Sequence, residues 1–349
     1  MSQNNRFKGL APNSEPKPIH ENELNEKRLN GVFYTITNPF KLDIFYKWLD
    51  LIPTEDKELI LEPFAGANNI VAMIHELGVE SKWECYDINP PTYNNFLDYP
   101  VHQRDTLLDY PKGFGVAITN PPYLAKNSAT RRGLPFPPCK YDDLYKHCLD
   151  VMLTQTPYVA AIIPESFLTQ ELFQNRLFAI VSLTCKMFDD TECPVCLALF
   201  IPEHSNDFVI YRQNRLIGNY SELKRCIKTS SFTQIKWKFN DKTGSVGLYA
   251  IDNQLEPSIH FCIGDEINPE DVKSTSRSIT RISGLPDNID LEKFIDKCNE
   301  LLSTYRTTTK DVFLTSFKGL RKDNQYRRRI DFKTAKNILN QAMECFLAE

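Results

Sequence analysis

The chain has 349 residues, enough for two average domains and a sizeable core. No apolar stretch is long enough to cross a bilayer, and the polar start Met1-Ser2-Gln3-Asn4-Asn5 is not a signal peptide, so no membrane attachment is expected and the cytoplasm is the expected compartment. Net charge is only −4, but residues 301–340 hold ten Lys/Arg against three acids, which makes that segment +7 and the remainder −11; a solvated helix face or a polyanionic partner explains such a basic end.

In chain order, residues 1–30 are rich in Asn, Glu, Pro and Lys and read as a mobile arm. Thr35 follows, with a hydroxyl placed either to reach a ligand or to satisfy local backbone. The spacing of Phe40, Ile44, Phe45, Trp48 and Leu51 predicts a helix that starts with Asn38 as cap and Pro39 in its first turn. Residues 59–61 form a short strand that runs into Glu62-Pro63-Phe64-Ala65-Gly66-Ala67-Asn68 and then a helical pattern through Ile70, Val71, Ile74 and Leu77. Strand, small-residue turn and helix start make the first βα unit of a doubly wound sheet, where backbone amides approach a nucleoside or its charged tail. Gly66 stands alone, without a G-x-G-x-x-G pattern, so a dinucleotide is poorly supported.

The next strand, 82–86, ends at Asp87, an acid about twenty residues beyond the glycine turn and in position for a ribose hydroxyl pair. A third segment, 101–104, leads to Asp105, which either accepts from an adenine amine or caps the following turn. The apolar run Gly115-Val116-Ala117-Ile118-Thr119 reads as a buried strand and is closed by Asn120-Pro121-Pro122-Tyr123. Two prolines stiffen the exit and remove two backbone donors. Asn120 adds an amide, Tyr123 a flat face, and together with a proline carbonyl they suit the exocyclic amine of a base taken out of its stack.

A Pro-rich stretch to Pro138, with Arg131, Arg132 and Gly133, reads as a long loop that orders over a ligand. A helix is expected over 141–153, a strand over 158–163 ending at Pro164, and a helix passing into strand over 172–183. The alternation predicts an α/β fold with a parallel sheet covered on both faces, and it stops near 204. Short strands (208–211, 234–239, 247–251) then give way to helices near 290–303 and 332–347 with the basic segment between them. The expected division is 1–30, 31–203 and 204–349. Ten cysteines are scattered, and Cys193-Pro194-Val195-Cys196, with no second pair at metal spacing, reads as two strand cysteines; no metal is expected.

In order and content these stations resemble the amino-methylating DNA methyltransferases that use S-adenosylmethionine, in the class whose cofactor motifs precede the catalytic one. The resemblance covers roughly residues 30 to 201. It implies a Rossmann-like methyltransferase sheet, mostly parallel with one antiparallel edge hairpin, and a smaller mixed C-terminal domain that recognises the target. It implies cofactor contacts at Thr35, Glu62, Gly66, Asp87 and Asp105, a target amine held by Asn120 and the carbonyl of Pro121 in the Asn120-Pro121-Pro122-Tyr123 motif, and a base stacked on Tyr123 and covered by Phe188. Lys318, Arg321, Lys322, Arg327, Arg328 and Arg329 are the expected contacts to double-stranded DNA. The implied activity is N6 methylation of a flipped adenine at a specific DNA sequence, in a restriction-modification or phage setting, with a companion restriction endonuclease as a partner. The family pattern is broken where Asn68 replaces a second glycine and Ile36 replaces a proline. The same tetrapeptide also serves methylation of RNA guanine N2 or a protein glutamine. A nucleic-acid-binding module without activity is a further alternative.

Overall fold

The computed structural model describes residues 38–184, 187, 193–203, 205–232 and 234–348. The predicted arm over 1–30, Thr35 and Phe188 lie outside them.

The first helix, α1 (Asp43–Asp50), begins later than its apolar spacing suggested. Asn38 is not its cap; its Oδ1 accepts from Phe40 N at 3.0 Å and its amide donates to Met73 O at 2.8 Å, so the side chain is spent on a turn. Helix α1 buries Ile44, Phe45, Trp48 and Leu49, and Trp48 Nε1 donates to Phe200 O at 2.9 Å. A one-turn helix, α2 (Thr54–Lys57), then delivers the chain to β1 (Leu59–Glu62).

Strand β1 is followed by α3 (Asn69–His75), β2 (Lys82–Asp87), β3 (Val101–Gln103) and β4 (Val116–Thr119). The expected loop after β4 contains a helix, α4 (Lys126–Arg132), closed by Gly133 at φ 65°. Its C-cap glycine and two terminal arginines are helix-stop signals that the proline count had hidden. Next come α5 (Leu144–Gln155), β5 (Tyr158–Pro164), β6 (Leu177–Leu183) and β7 (Val195–Phe200). The helix expected before β6 is only a single 3-10 turn, Gln174–Arg176.

The sheet continues beyond 204. β8 (Val209–Arg212) pairs parallel with β6, and β9 (Arg215–Asn219) closes an antiparallel hairpin on it. The strand order is β3-β2-β1-β4-β5-β7-β6-β8-β9, with β7 antiparallel to both neighbours. A boundary at 204 therefore cuts the sheet, which ends at Asn219. The central strands β4 to β7 are almost wholly buried and read as unbroken apolar runs, as strands covered on both faces must.

Past helix α6 (Tyr220–Arg225) lies a four-stranded antiparallel sheet, with β10 (Lys238–Phe239), β11 (Val246–Tyr249), β12 (His260–Ile263) and β13 (Ile279–Ser283) in the order β10-β13-β11-β12. The long helices α7 (Leu291–Thr309) and α8 (Phe332–Ala348) close its core, where Trp237 stacks on Phe294 at 5.9 Å. Between them stands a hairpin of β14 (Thr315–Leu320) and β15 (Tyr326–Arg329). The two cores meet at Phe313, which packs against both and meets Tyr220 edge-on at 5.5 Å. No helix among the described residues is long and apolar enough to cross a membrane.

Candidate active site

The carboxyl ends of β1, β2, β3 and β4 converge on one cavity of about 150 Å³. That is where an open α/β sheet holds its ligand, because the loops leaving parallel strands diverge there and expose backbone amides. Gly66, Asp87, Asp105, Asn120 and Pro122 line it, with Phe64, Ile70, Ile88, Leu107 and Leu144 as apolar wall. Residues separated by more than fifty positions thus face one space.

Each polar group has a physical reason for its place. Asp87, the last residue of β2, accepts from Gly66 N at 2.9 Å and Asn89 N at 2.8 Å, so its carboxylate also pins the glycine turn. Burial pushes its carboxyl pKa above the usual value despite those two amides. Gly66 has φ 50°, a left-handed turn that an L side chain resists. Asn68, where the family pattern has glycine, also adopts the left-handed region at φ 61°, which asparagine tolerates better than other side chains, and its amide donates to Tyr99 O at 2.7 Å. Asp105 both lines the cavity and accepts from Leu107 N at 3.1 Å, so its capping role and its access to a ligand coexist. Thr106 Oγ1 donates to Pro63 O at 3.0 Å and ties this loop to the first turn.

Glu62 is a different case. It is fully buried and does not line the cavity. Its Oε1 accepts from Thr119 Oγ1 at 2.5 Å and Phe64 N at 3.0 Å, while Oε2 has no hydrogen-bond partner. Burial raises its pKa to about 8. It shapes the turn from beneath, rather than touching a ligand.

Tyr123 departs from the sequence reading. Its ring packs in the core, edge-on to Tyr145 at 6.2 Å, and its hydroxyl lies 2.5 Å from Asn120 Oδ1 and 2.6 Å from Ile162 O. Its face is therefore not turned to the cavity, and neither Tyr123 nor Pro121 lines it. An opening of about 150 Å³ is nonetheless present beside Asn120 and Pro122.

The expected DNA contacts are scattered. Lys318 and Lys322 are exposed, and Arg329 is half-buried. Arg327 donates to Asp252 O at 2.6 Å and lies 5.2 Å over the Phe317 ring. Arg321 and Arg328 are buried: Arg321 pairs with Asp252 and Asp323, both at 2.8 Å, and Arg328 reaches Glu165 at 3.2 Å. These two side chains are engaged inside the protein, which removes them from the set facing a phosphate. Their acid partners Asp252 and Glu165 lie outside residues 301–340, so a charge count over that window could not reveal the pairing.

Strand order, parallel register and the antiparallel β7 place the cavity on the expected scaffold. The sheet is Rossmann-like, mostly parallel with the single strand β7 antiparallel to both of its neighbours. No protein-family model matches the chain, and no curated protein does. Among solved structures, a type I restriction-modification methyltransferase subunit from Streptococcus thermophilus is 16% identical, over 53% of this chain and 50% of that one, with a TM-score of 0.37. The M protein of the type I restriction enzyme EcoKI is 13% identical, over 51% and 48%, with a TM-score of 0.36. A DrdV–DNA complex is 14% identical, over 56% and 29%, with a TM-score of 0.41. The chain spans about half the length of the first two. TM-scores below 0.5 fix neither family nor substrate, so the fold assignment rests on the strand order itself.

The residue types in the cavity fit S-adenosylmethionine. Paired acids at the ends of β2 and β3 suit ribose hydroxyls and an adenine amine, an apolar wall suits the ring, and Gly66 lets the backbone approach the charged tail. The enclosed volume is small for the whole molecule, which fits with part of it at the open rim.

Proposed function

We propose that this chain transfers a methyl group from S-adenosylmethionine to N6 of an adenine flipped out of double-stranded DNA, at a specific sequence and in a restriction-modification or phage setting. One observation carries the reading: Asn120 and Pro122 line the same cavity as Gly66, Asp87 and Asp105, so the amine-holding turn and the cofactor residues share one space.

The bound cofactor would supply an electrophilic methyl group. The chain supplies orientation and charge. Accepting an amine N–H bond at Asn120 Oδ1 localises the nitrogen lone pair and stabilises positive charge as it develops, whereas the Pro121 carbonyl, expected as the second acceptor, is not part of the cavity lining. One hydroxyl proton on Tyr123 cannot serve both Asn120 and Ile162. Both partners are satisfied when Asn120 turns its amide nitrogen to Tyr123, Tyr123 donates to Ile162 O, and Asn120 Oδ1 faces the cavity. In this arrangement Tyr123 orients the asparagine instead of stacking on the base. Lys318, Lys322, Arg327 and Arg329 remain candidates for DNA contact, and a companion nuclease remains part of the proposal.

Replacing Asn120 with Ala tests the assignment. Methylation of adenine in DNA should be lost while S-adenosylmethionine binding persists; undiminished adenine methylation, or methyl transfer to RNA or protein alone, overturns the reading.

A further inference from the structure

A cavity of about 580 Å³ lies away from the cofactor site, between the β8–β9 hairpin and helix α7. Its walls carry Arg212, Arg215, Arg306, Lys310 and His260 against a single acid, Asp311. Arg306 is already paired, to Asp252 at 2.8 Å and Asp311 at 2.8 Å. Arg212, Arg215 and Lys310 form no ion pair among the described residues, and the carboxylates acting on the Arg212 charge, Glu165 and Asp311, are those already engaged by Arg328 and Arg306. Arg215 is exposed and makes no side-chain hydrogen bond or ion pair among the described residues. Lys310 donates to Ile217 O at 2.6 Å, which leaves an ammonium with further protons to give. Arg212 is half-buried with Nε lacking a partner, and it forms no ion pair among the described residues. Holding cations together with so little counter-charge costs free energy that an incoming anion recovers.

The register shows where this cavity sits relative to Asn120. β8 runs parallel to β6, β5 and β4, so Arg212 at its carboxyl end lies on the same rim of the sheet as Asn120. Following paired residues across the sheet, the row after Thr119 passes through Ile162, Leu197, Val181 and Tyr211, one residue short of Arg212. Four strand spacings separate β4 from β8, or about 19 Å at roughly 4.8 Å each.

We propose that Arg212, Arg215 and Lys310 form a phosphate-binding cleft for the backbone of the same DNA whose base enters the cavity at Asn120. At about 3.4 Å per nucleotide the separation corresponds to roughly six nucleotides along one strand. The proposal rests on the DNA reading given above, and it adds to the exposed cations of the β14–β15 hairpin a second grip, made by residues of the sheet extension and the end of α7.

The test is a titration of a 25-base-pair duplex against the full chain at several salt concentrations, with S-adenosylmethionine binding measured in parallel. Arg215→Glu, and Arg215→Glu with Lys310→Glu, should lower affinity at low salt about tenfold or more and reduce the slope of log affinity against log salt by about one for each phosphate no longer neutralised. Arg215→Lys should keep the slope, and cofactor binding should be unchanged. Wild-type slope and affinity in Arg215→Glu, whose side chain holds nothing else, overturn the cleft and leave the methyltransferase reading standing. A wild-type chain that fails to bind duplex DNA, or prefers RNA of the same length, overturns both.

Discussion

Tyr123 meets Asn120 through a 2.5 Å approach of its hydroxyl to the asparagine side chain, with the Ile162 carbonyl 2.6 Å from the same oxygen. That geometry separates two roles for the tyrosine. If the ring acted by stacking, Tyr123→Phe would be silent because it keeps the ring. We expect it instead to lower the methyl-transfer kcat about tenfold through loss of Asn120 orientation, and stability by about 1 kcal/mol for the buried hydrogen bond, with cofactor Kd unchanged. Steady-state kinetics with a cofactor titration decides between them.

Asp87 serves both the ligand and the turn, since it lines the cavity and accepts from Gly66 N. Asp87→Ala should raise the Kd for S-adenosylmethionine about 10- to 100-fold, the range expected for losing hydrogen bonds to a charged acceptor. Saturating cofactor should restore most of kcat. Calorimetric titration against wild type, with no change in affinity, would remove Asp87 from the site.

Glu62 predicts a pH effect. Its folded pKa of about 8 lies above the ordinary carboxylate value because burial disfavours the charge. The folded chain therefore holds a proton that the unfolded chain releases, so this contribution is complete at low pH and is lost as pH rises from about 4.5 towards 8. Glu62→Gln cannot ionise and should flatten that part of the stability profile. Urea unfolding of both proteins at pH 5 and pH 8 checks it: the loss on going to pH 8 should be smaller by a few kcal/mol in the variant.

What the sequence made legible follows from where the information sits. β1 and β4 are buried apolar runs and β2 alternates buried Trp83 and Cys85 with polar residues, each ending in a polar residue, and the turns at Gly66, Asp87, Asp105 and Asn120 follow directly from strand ends that parallel topology then brings together. The direction of the Tyr123 ring was not legible, because it depends on Tyr145 and on the Ile162 carbonyl of the neighbouring strand. Nor was the fate of Arg321 and Arg328: a run of cations looks the same whether it faces solvent or meets a distant acid. The late start of α1 shows the same limit, since Asn-Pro opens either a helix or a turn and only the Met73 carbonyl selects the turn. Arg212 and Arg215 fall outside the basic window and gain meaning only because β8 and β9 extend the first sheet.

Asp252 is the acid that makes the buried arginines tolerable. It is fully buried and accepts from Arg306 at 2.8 and 2.9 Å, from Arg321 at 2.8 Å, and from the amides of Ser258 at 2.7 Å, Ile259 at 3.2 Å and Arg328 at 3.2 Å. Burial acts to raise its pKa, but the hydrogen bonds and charge of Arg306 outweigh burial and hold it below the usual value. Its stabilisation is therefore present above the unfolded-state carboxylate range and lost as pH falls through the depressed folded value. Asp252→Ala leaves two largely buried guanidinium groups without their shared counter-charge and should destabilise the chain by about 3–5 kcal/mol, measured as a lowered urea midpoint at pH 7. Asp252→Asn keeps the shape and part of the hydrogen bonding, so it should cost less and weaken the acid dependence; a midpoint equal to wild type in both variants would show that Asp311 and Asp323 suffice to hold Arg306 and Arg321.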